Sequence, residues 1–383
     1  MKKSNRVIAV MLALVMVFAL AACSGTADQD PNTADTTPAA NTGSSAENTQ
    51  EGEAAQPDTK TVTDLAGREV TMPANVTKIA ALTGPVFETI IMLGGADQVV
   101  ITGNSSGASG WGAVVCPEYA DIPVAEDATN PNVEKLIELG VEVAFFWDSY
   151  PEVTEALEAA GIAVVVTQLG NFDVTSVEEF LEFKKQEINV VAGVLGGDAL
   201  DEAADWCAYA DETVAKLTAV TDTLSPDEIP SVYYVRGPEA LKIHGGASNT
   251  RYLVEMAGGD LVSKNDDELL YTTTMEQAIE WDAEYIIMGR VDNIELITED
   301  AAWAPVQAVK NGNVYVNLKG VGPTDYCTDC FLLAEQIATI LHPDLFSDID
   351  MVQECKDYFS DFYEYDLTDD QAQRVLSFQA PEG

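Results

Sequence analysis

Few residues in this chain can do covalent or metal chemistry, and their scarcity decides more than their presence. Only two histidines occur, His244 and His342, and neither has a second histidine at ligand-like spacing. A histidine-rich metal site cannot be built from them. One CxxC pair, Cys327-Thr-Asp-Cys330, stands just ahead of a helical pattern that begins near Phe331. A thiol at a helix N-terminus can have a lowered pKa, so thiol–disulfide exchange through Cys327 and Cys330 is a rival chemistry from another class. No short βαβ opening precedes the pair and no second CxxC accompanies it, so a structural disulfide or buried thiols is the expected state. With Cys116, Cys207 and Cys355 the count beyond Cys23 is odd, which leaves at least one thiol unpaired. The chain has no G-x-S-x-G, no H-E-x-x-H and no GxxxxGK. No enzyme, resident metal or intrinsic cofactor is expected.

Groups suited to binding are better supplied. Arg236 and Arg290 each follow a predicted strand (231–235 and 284–288), where a guanidinium can grip an anionic group bidentately. In the first half, Thr83, Ser105, Trp111, Trp147 and Tyr150 fall on strand-end loops. Two tryptophans and a tyrosine there offer a face for a bulky, partly flat ligand. Nineteen Lys and Arg face 64 Asp and Glu, a net charge of -45. Such a field repels nucleic acid and anionic headgroups and excludes partners held by a basic surface.

These residues must be positioned by the alternating apolar runs around them. From residue 61 a hairpin is followed by strands at 78–82, 98–102, 141–147 and 162–167 with helices between them, which implies a doubly wound parallel layer. Ligands bind beyond the carboxyl ends of such strands. After Pro230 the pattern resumes, with strands at 231–235, 284–288 and 314–318 and helices at 251–257, 274–280 and 331–341. Between the halves, residues 198–224 carry Leu200, Ala203, Cys207, Ala210, Val214 and Leu217 at steps of three and four. This predicts one helix of ~40 Å at ~1.5 Å per residue, a strut with Leu200 packed in one lobe and Leu217 in the other. No internal repeat is strong enough to relate the two lobes beyond their shared architecture.

The N-terminus has Lys2, Lys3 and Arg6, an apolar run to Ala22 and then Cys23. That is a secretory signal, too short for a permanent span. Leu20-Ala21-Ala22-Cys23 resembles the lipobox of bacterial lipoproteins, which implies cleavage before Cys23 and lipidation of its sulfur. Residues 24–60 are small and polar and read as a flexible tether. The expected organisation is a signal at 1–22, a lipidated Cys23 and tether at 23–60, an N-terminal α/β lobe at 61–197, a linking helix at 198–224 and a C-terminal α/β lobe at 225–383.

VTDLAGREVTMPANVTKIAAL, NPNVEKLIELGVEVAFFW, HGGASNTRYLVEMAGGDLV, TTMEQAIEWDAEYIIM and LLAEQIATILHPDLF occur in that order. Together they resemble the iron-complex and cobalamin class of ABC-transporter substrate-binding lipoproteins over nearly all of 61–346. The resemblance implies two α/β lobes with parallel sheets, joined by one long helix, with the ligand in the cleft. It implies a monomer, lipid-anchored on the outer face of the cell membrane, that works with an ABC permease and its ATPase. It also implies docking through one glutamate per lobe, here Glu134 and Glu276. A ferric siderophore is the expected cargo, with haem or a corrinoid as alternatives. Tyr119, Tyr150, Tyr234 and Tyr326 would be the candidate axial ligands for haem.

Overall fold

The computed structural model of the protein describes residues 58–103, 110–170 and 173–382. The signal segment, Cys23, most of the tether and Ser105 lie outside the described residues. The first strand begins two residues before the expected lobe boundary at 61. β1 (Thr59–Thr63) already pairs antiparallel with β2 (Glu69–Pro73).

In the first lobe, β3 (Ile79–Ala81), β4 (Val99–Thr102), β5 (Val143–Trp147) and β6 (Ala163–Gln168) form an all-parallel sheet in the order β4-β3-β5-β6. Its helices are α1 (Val86–Met92), α2 (Gly110–Val115), α3 (Val133–Leu139) and α4 (Pro151–Ala159). Apart from Thr102, Thr167 and Gln168 at their carboxyl ends, the strands are apolar because both faces are covered. Ala144 and Phe146 face the cluster formed with Leu136 and Leu157 on α3 and α4, while Val143 and Phe145 face the main core.

Two long helices follow, α5 (Val177–Leu195) and α6 (Ala199–Thr221). Ser176 caps α5 by accepting from the Glu179 N–H. Gly196 and Gly197 both take positive φ, 73° and 59°, a conformation that side-chain-bearing residues resist and that lets the chain reverse between the helices.

The expected strut needs correction here. The buried stripe of α6 runs through Ala199, Ala203, Trp206, Ala210, Val214 and Leu217. Leu200 is 52% exposed and packs in neither lobe. Trp206 sets this register: its indole is fully buried, donates to the Thr328 carbonyl at 3.2 Å and packs on Phe331. Burying so large a ring outweighs burying Leu200 and Cys207. The bridging contacts belong to α5, which packs on α1, β1 and β6 of the first lobe and on α7 (Asn249–Met256) of the second. Phe180 of α5 stacks on Tyr252 of α7 at 5.5 Å.

The second sheet contains β7 (Ser231–Val235), β8 (Lys242–His244), β9 (Asp260–Leu261), β10 (Leu270–Thr272), β11 (Tyr285–Met288) and β12 (Val314–Val316). Its main order is β10-β8-β7-β11-β12, with β9 on β7. The sheet is mixed rather than wholly parallel, because β8 and β10 run antiparallel to their neighbours. The helices beyond α7 are α8 (Met275–Trp281), α9 (Glu295–Thr298), α10 (Gln307–Asn311), α11 (Cys330–Leu341), α12 (Met351–Tyr363) and α13 (Asp369–Leu376). Among the described residues, no helix is long and apolar enough to cross a membrane.

The end of the chain is not part of the second lobe alone. α12 packs on α1 as well as on α11 and α13, and Trp111 Nε1 donates to the Gln379 carbonyl at 3.1 Å. Glu88 of α1 is fully buried, and its carboxylate accepts from the Thr328 N–H, the Thr328 hydroxyl and the Tyr363 hydroxyl. Burial raises the pKa of that carboxyl, and these hydrogen bonds pull the other way. The inner faces of both lobes thus share one continuous core, which resists large lobe rotation.

Candidate functional site

The second lobe supplies a polar array at the carboxyl ends of β7 and β11. Arg236 follows β7, and Arg290 follows β11 after Gly289. A Cβ on Gly289 would stand 2.5 Å from the Tyr234 ring, so glycine is required for the strand to pass. Arg290 donates to Asp325 Oδ1 from Nε at 3.1 Å and from Nη2 at 2.7 Å. Its guanidinium also lies 5.1 Å from the centre of the Tyr326 ring. Burial opposes its charge, but Asp325 outweighs burial and raises its pKa.

His244 ends β8 and is buried beside this pair. Its Nδ1 lies 2.7 Å from Thr250 Oγ1, its Nε2 lies 3.3 Å from the Tyr326 hydroxyl, and its ring stacks on Tyr234. Burial is the main cause that lowers its pKa to about 4; Arg290 and Arg236 act the same way and Asp325 opposes them. The imidazole is therefore neutral at pH 7. Asp325 Oδ2 has no hydrogen-bond partner among the described residues and lies 3.7 Å from His244 Nδ1. Asn317 holds the array from beneath, donating to Tyr234 and Thr324 at 3.2 Å each.

Arg236 differs from Arg290. Among the described residues it has no carboxylate partner and donates only to the Gly237 carbonyl at 3.3 Å. Burial lowers its pKa, and the neighbouring Arg290 lowers it further. An unpaired guanidinium beside a second one favours an incoming anion.

Tyr326 is where this array meets open space. It lines a cavity of about 550 Å³ between the lobes, together with Gln168 at the end of β6, Asp173 beyond it, Glu187 on α5, Asn249 at the start of α7 and Glu268. Lys184 of α5 is buried behind Tyr326 and donates to its carbonyl at 2.8 Å, so α5 fixes the cavity wall directly. The carboxylates of Asp173, Glu187, Asp267 and Glu268 line the same cavity, whereas Arg236 and Arg290 are not in its lining and reach it only through Tyr326, over whose ring Arg290 lies.

The sequence candidates separate on this geometry. Tyr326, Arg290 and Arg236 are brought together. Tyr234 lies directly beneath them but is fully buried, a support under His244 rather than a cavity wall. Thr83 is buried and hydrogen-bonds Thr167 at 3.1 Å, tying the ends of β3 and β6. Trp111 is buried against Phe359 and clamps the C-terminal tail, because its ring fills the gap between α2 and α12. Tyr119 is buried with its hydroxyl on Thr102. Trp147 and Tyr150 cluster with Phe146 at the end of β5, outside the cavity lining. Glu134 and Glu276 are exposed in the first turns of α3 and α8.

His244, Asp325, Lys184 and Asn249 escape sequence reasoning as site residues. Gly237-Pro238 on one side and Gly245-Gly246 on the other make the segment around His244 read as loop, which hides a three-residue strand. The CxxC pair resolves as buried thiols. All five described cysteines are free, and burial is the largest cause raising the pKa of Cys327 well above its usual range and that of Cys330 to about 12. Such thiols are poor nucleophiles, so the geometry gives exchange chemistry no support.

Comparison with known proteins agrees with this architecture. A family model described as periplasmic binding protein matches residues 79–317. The chain is 25% identical over 335 residues to the molybdate-binding protein MolA of Haemophilus influenzae, covering 82% of this chain and 93% of that one. The solved structure of MolA bound to molybdate matches with a TM-score of 0.72 at 22% identity, covering 81% of this chain and 99% of MolA. A periplasmic solute binding protein from Veillonella parvula matches with a TM-score of 0.73 at 24% identity, over 84% of this chain and 97% of that one. Helicobacter pylori CeuE in complex with nickel and histidine matches with a TM-score of 0.65 at 19% identity, over 83% of this chain and 99% of that one. The structural likenesses show the two-lobed fold.

Proposed function

The chain belongs to the periplasmic binding protein family, and from that premise we propose that it is the lipid-anchored binding protein of an ABC importer, capturing an anionic metal-containing solute. The cargo enters the cavity between the lobes and is held at the Tyr326 wall by Arg236 and Arg290. Cys23 carries the anchor, and Glu134 and Glu276 present the loaded protein to the permease. The observation that carries this reading is Arg236, a half-buried guanidinium without a carboxylate, next to Arg290. Asp325 already offsets Arg290, so Arg236 is the cation left without a counter-charge in a partly desolvated site, a cost that an arriving anion offsets.

A ferric siderophore fits the open cavity and the guanidinium pair, and is the first reading. A compact metal oxyanion is the second, favoured by the likeness to a molybdate-binding protein. Thermal-shift titration with a panel of ferric siderophores, haem, cobamide and molybdate, followed by absorbance, tests both. Stabilisation by a ferric siderophore with a broad charge-transfer band supports the first reading, and stabilisation by molybdate alone supports the second. A Soret band would assign haem. No stabilisation by any of them would overturn the anionic-cargo reading.

A further inference from the structure

Two short helices, one in each lobe, carry the same surface. α3 reads Val-Glu-Lys-Leu-Ile-Glu-Leu and α8 reads Met-Glu-Gln-Ala-Ile-Glu-Trp. In both, the fourth residue (Leu136, Ala278) is buried against its own sheet and the second and sixth are glutamates. The fifth is an isoleucine left in solvent, Ile137 at 54% and Ile279 at 38% exposure. The caps match as well. Asn132 accepts from the Lys135 N–H at 3.0 Å, and Thr274 accepts from the Gln277 N–H at 3.1 Å. Both helices end in a left-handed residue, Gly140 or Asp282, and feed an interior strand, β5 or β11.

One exposed isoleucine on a surface is ordinary. The same isoleucine at the same position of two matched helices, bracketed each time by acids three residues before and one after, is a different observation. Residues three and four apart share a helix face, so Glu134, Ile137 and Glu138 form one patch, and Glu276, Ile279 and Glu280 form another. A helix that precedes a parallel strand begins at the carboxyl edge of the sheet, so both patches border the edge on which the cavity lies.

We propose that Ile137 and Ile279 are apolar anchors that seat in two equivalent pockets of the importer's permease, each pocket apolar at its floor and basic at its rim. This rests on the reading that Glu134 and Glu276 dock there, and adds the isoleucines and the second acids, Glu138 and Glu280. Charge complementarity selects this occupant. A second copy of a chain with net charge -45 would set acid against acid, whereas a basic rim pairs with the glutamates as the isoleucine leaves water. Repetition of the patch on two lobes requires a partner that presents the same pocket twice, as two permease subunits related by a two-fold axis do.

Photo-crosslinking with the full-length lipoprotein in its own membrane tests this. Benzoylphenylalanine is placed at position 137, 279, 134 or 276, and the captured chain is identified by mass spectrometry. The proposal expects positions 137 and 279 to capture the same membrane-spanning ABC permease subunit. It also expects Ile137→Ser and Ile279→Ser each to weaken recovery of that permease by a similar factor of about ten, as loss of a buried aliphatic side chain implies. Both variants should keep the wild-type melting temperature and cargo affinity. Capture from 134 and 276 but not from 137 and 279 would overturn the anchors and leave glutamate docking standing. Failure at all four positions would overturn docking as well. Capture of a second copy of this chain from 137 or 279 would show a self-association face and refute the proposal.

Discussion

His244 makes the electrostatics of the site measurable. Its imidazole is buried beside Arg290 and Arg236, and its pKa falls from 6.5 to about 4. In the unfolded chain the same group takes up a proton near pH 6.5. Between pH 6.5 and 4 the unfolded state therefore binds a proton that the folded state refuses, and stability is lost as the pH falls through that window. At ~1.36 kcal/mol per pH unit, the interval corresponds to about 3 kcal/mol. The perturbation is His244→Gln, which removes the titration and leaves a side chain able to reach Thr250. Urea denaturation of both proteins at pH 7.5 and pH 4 gives a double difference in which the other titrating groups cancel. Wild type is expected to lose about 3 kcal/mol more than the variant on acidification. Equal losses in the two proteins would refute a neutral, desolvated His244.

The remaining expectations concern the core and the buried acids. Trp206→Ala should cost about 3–5 kcal/mol by chemical denaturation, as deletion of a buried aromatic does. Leu200→Ala should stay within about 0.5 kcal/mol, and the reverse ranking would restore the original register of α6. The pKa of Glu335 is raised to about 7, chiefly by burial, with Lys216 opposing. Its folded form keeps a proton that the unfolded chain loses above pH 4.5, so its contribution to stability falls as the pH rises to 7. Glu335→Gln should therefore flatten that slope in melts from pH 5 to 8. Cys327, Cys330 and Cys355 should resist thiol reagents in the native protein and react only on unfolding; rapid native labelling of Cys327 or Cys330 would reopen exchange chemistry.

Much of the architecture is legible in the sequence because strands such as 143–147 and 285–288 are buried on both faces and read as unbroken apolar runs. The register of α6 is not. Steps of three and four can be drawn through Leu200 and Cys207 or, one position over, through Ala199, Ala203 and Trp206, and only the neighbours Thr328 and Phe331 choose between them. The sequence pattern puts Trp111 and Thr83 on strand-end loops, as ligand contacts in such folds are, but Trp111 stands in α2. Trp111 is instead occupied by the returning C-terminal tail, a partner 268 positions away that no local pattern announces. Arg236, Arg290 and Tyr326 could be singled out by type and place. Their organisers, His244 and Asp325, could not, since a three-residue strand and a turn leave no periodic trace. The match between α3 and α8 is visible once caps and burial are known. As seven letters with three identities, it is too short to count as a repeat.

The central claim is that an anionic metal-containing solute binds at the Tyr326 wall through Arg236 and Arg290. Native mass spectrometry of the full-length chain, recovered from cells that produce it, tests it most directly. One added mass per chain with a metal's isotope pattern is expected, lost in Arg236→Ala while the variant remains folded. An unliganded wild-type spectrum after incubation with each of the named solutes, or a bound mass retained undiminished in Arg236→Ala, would contradict it.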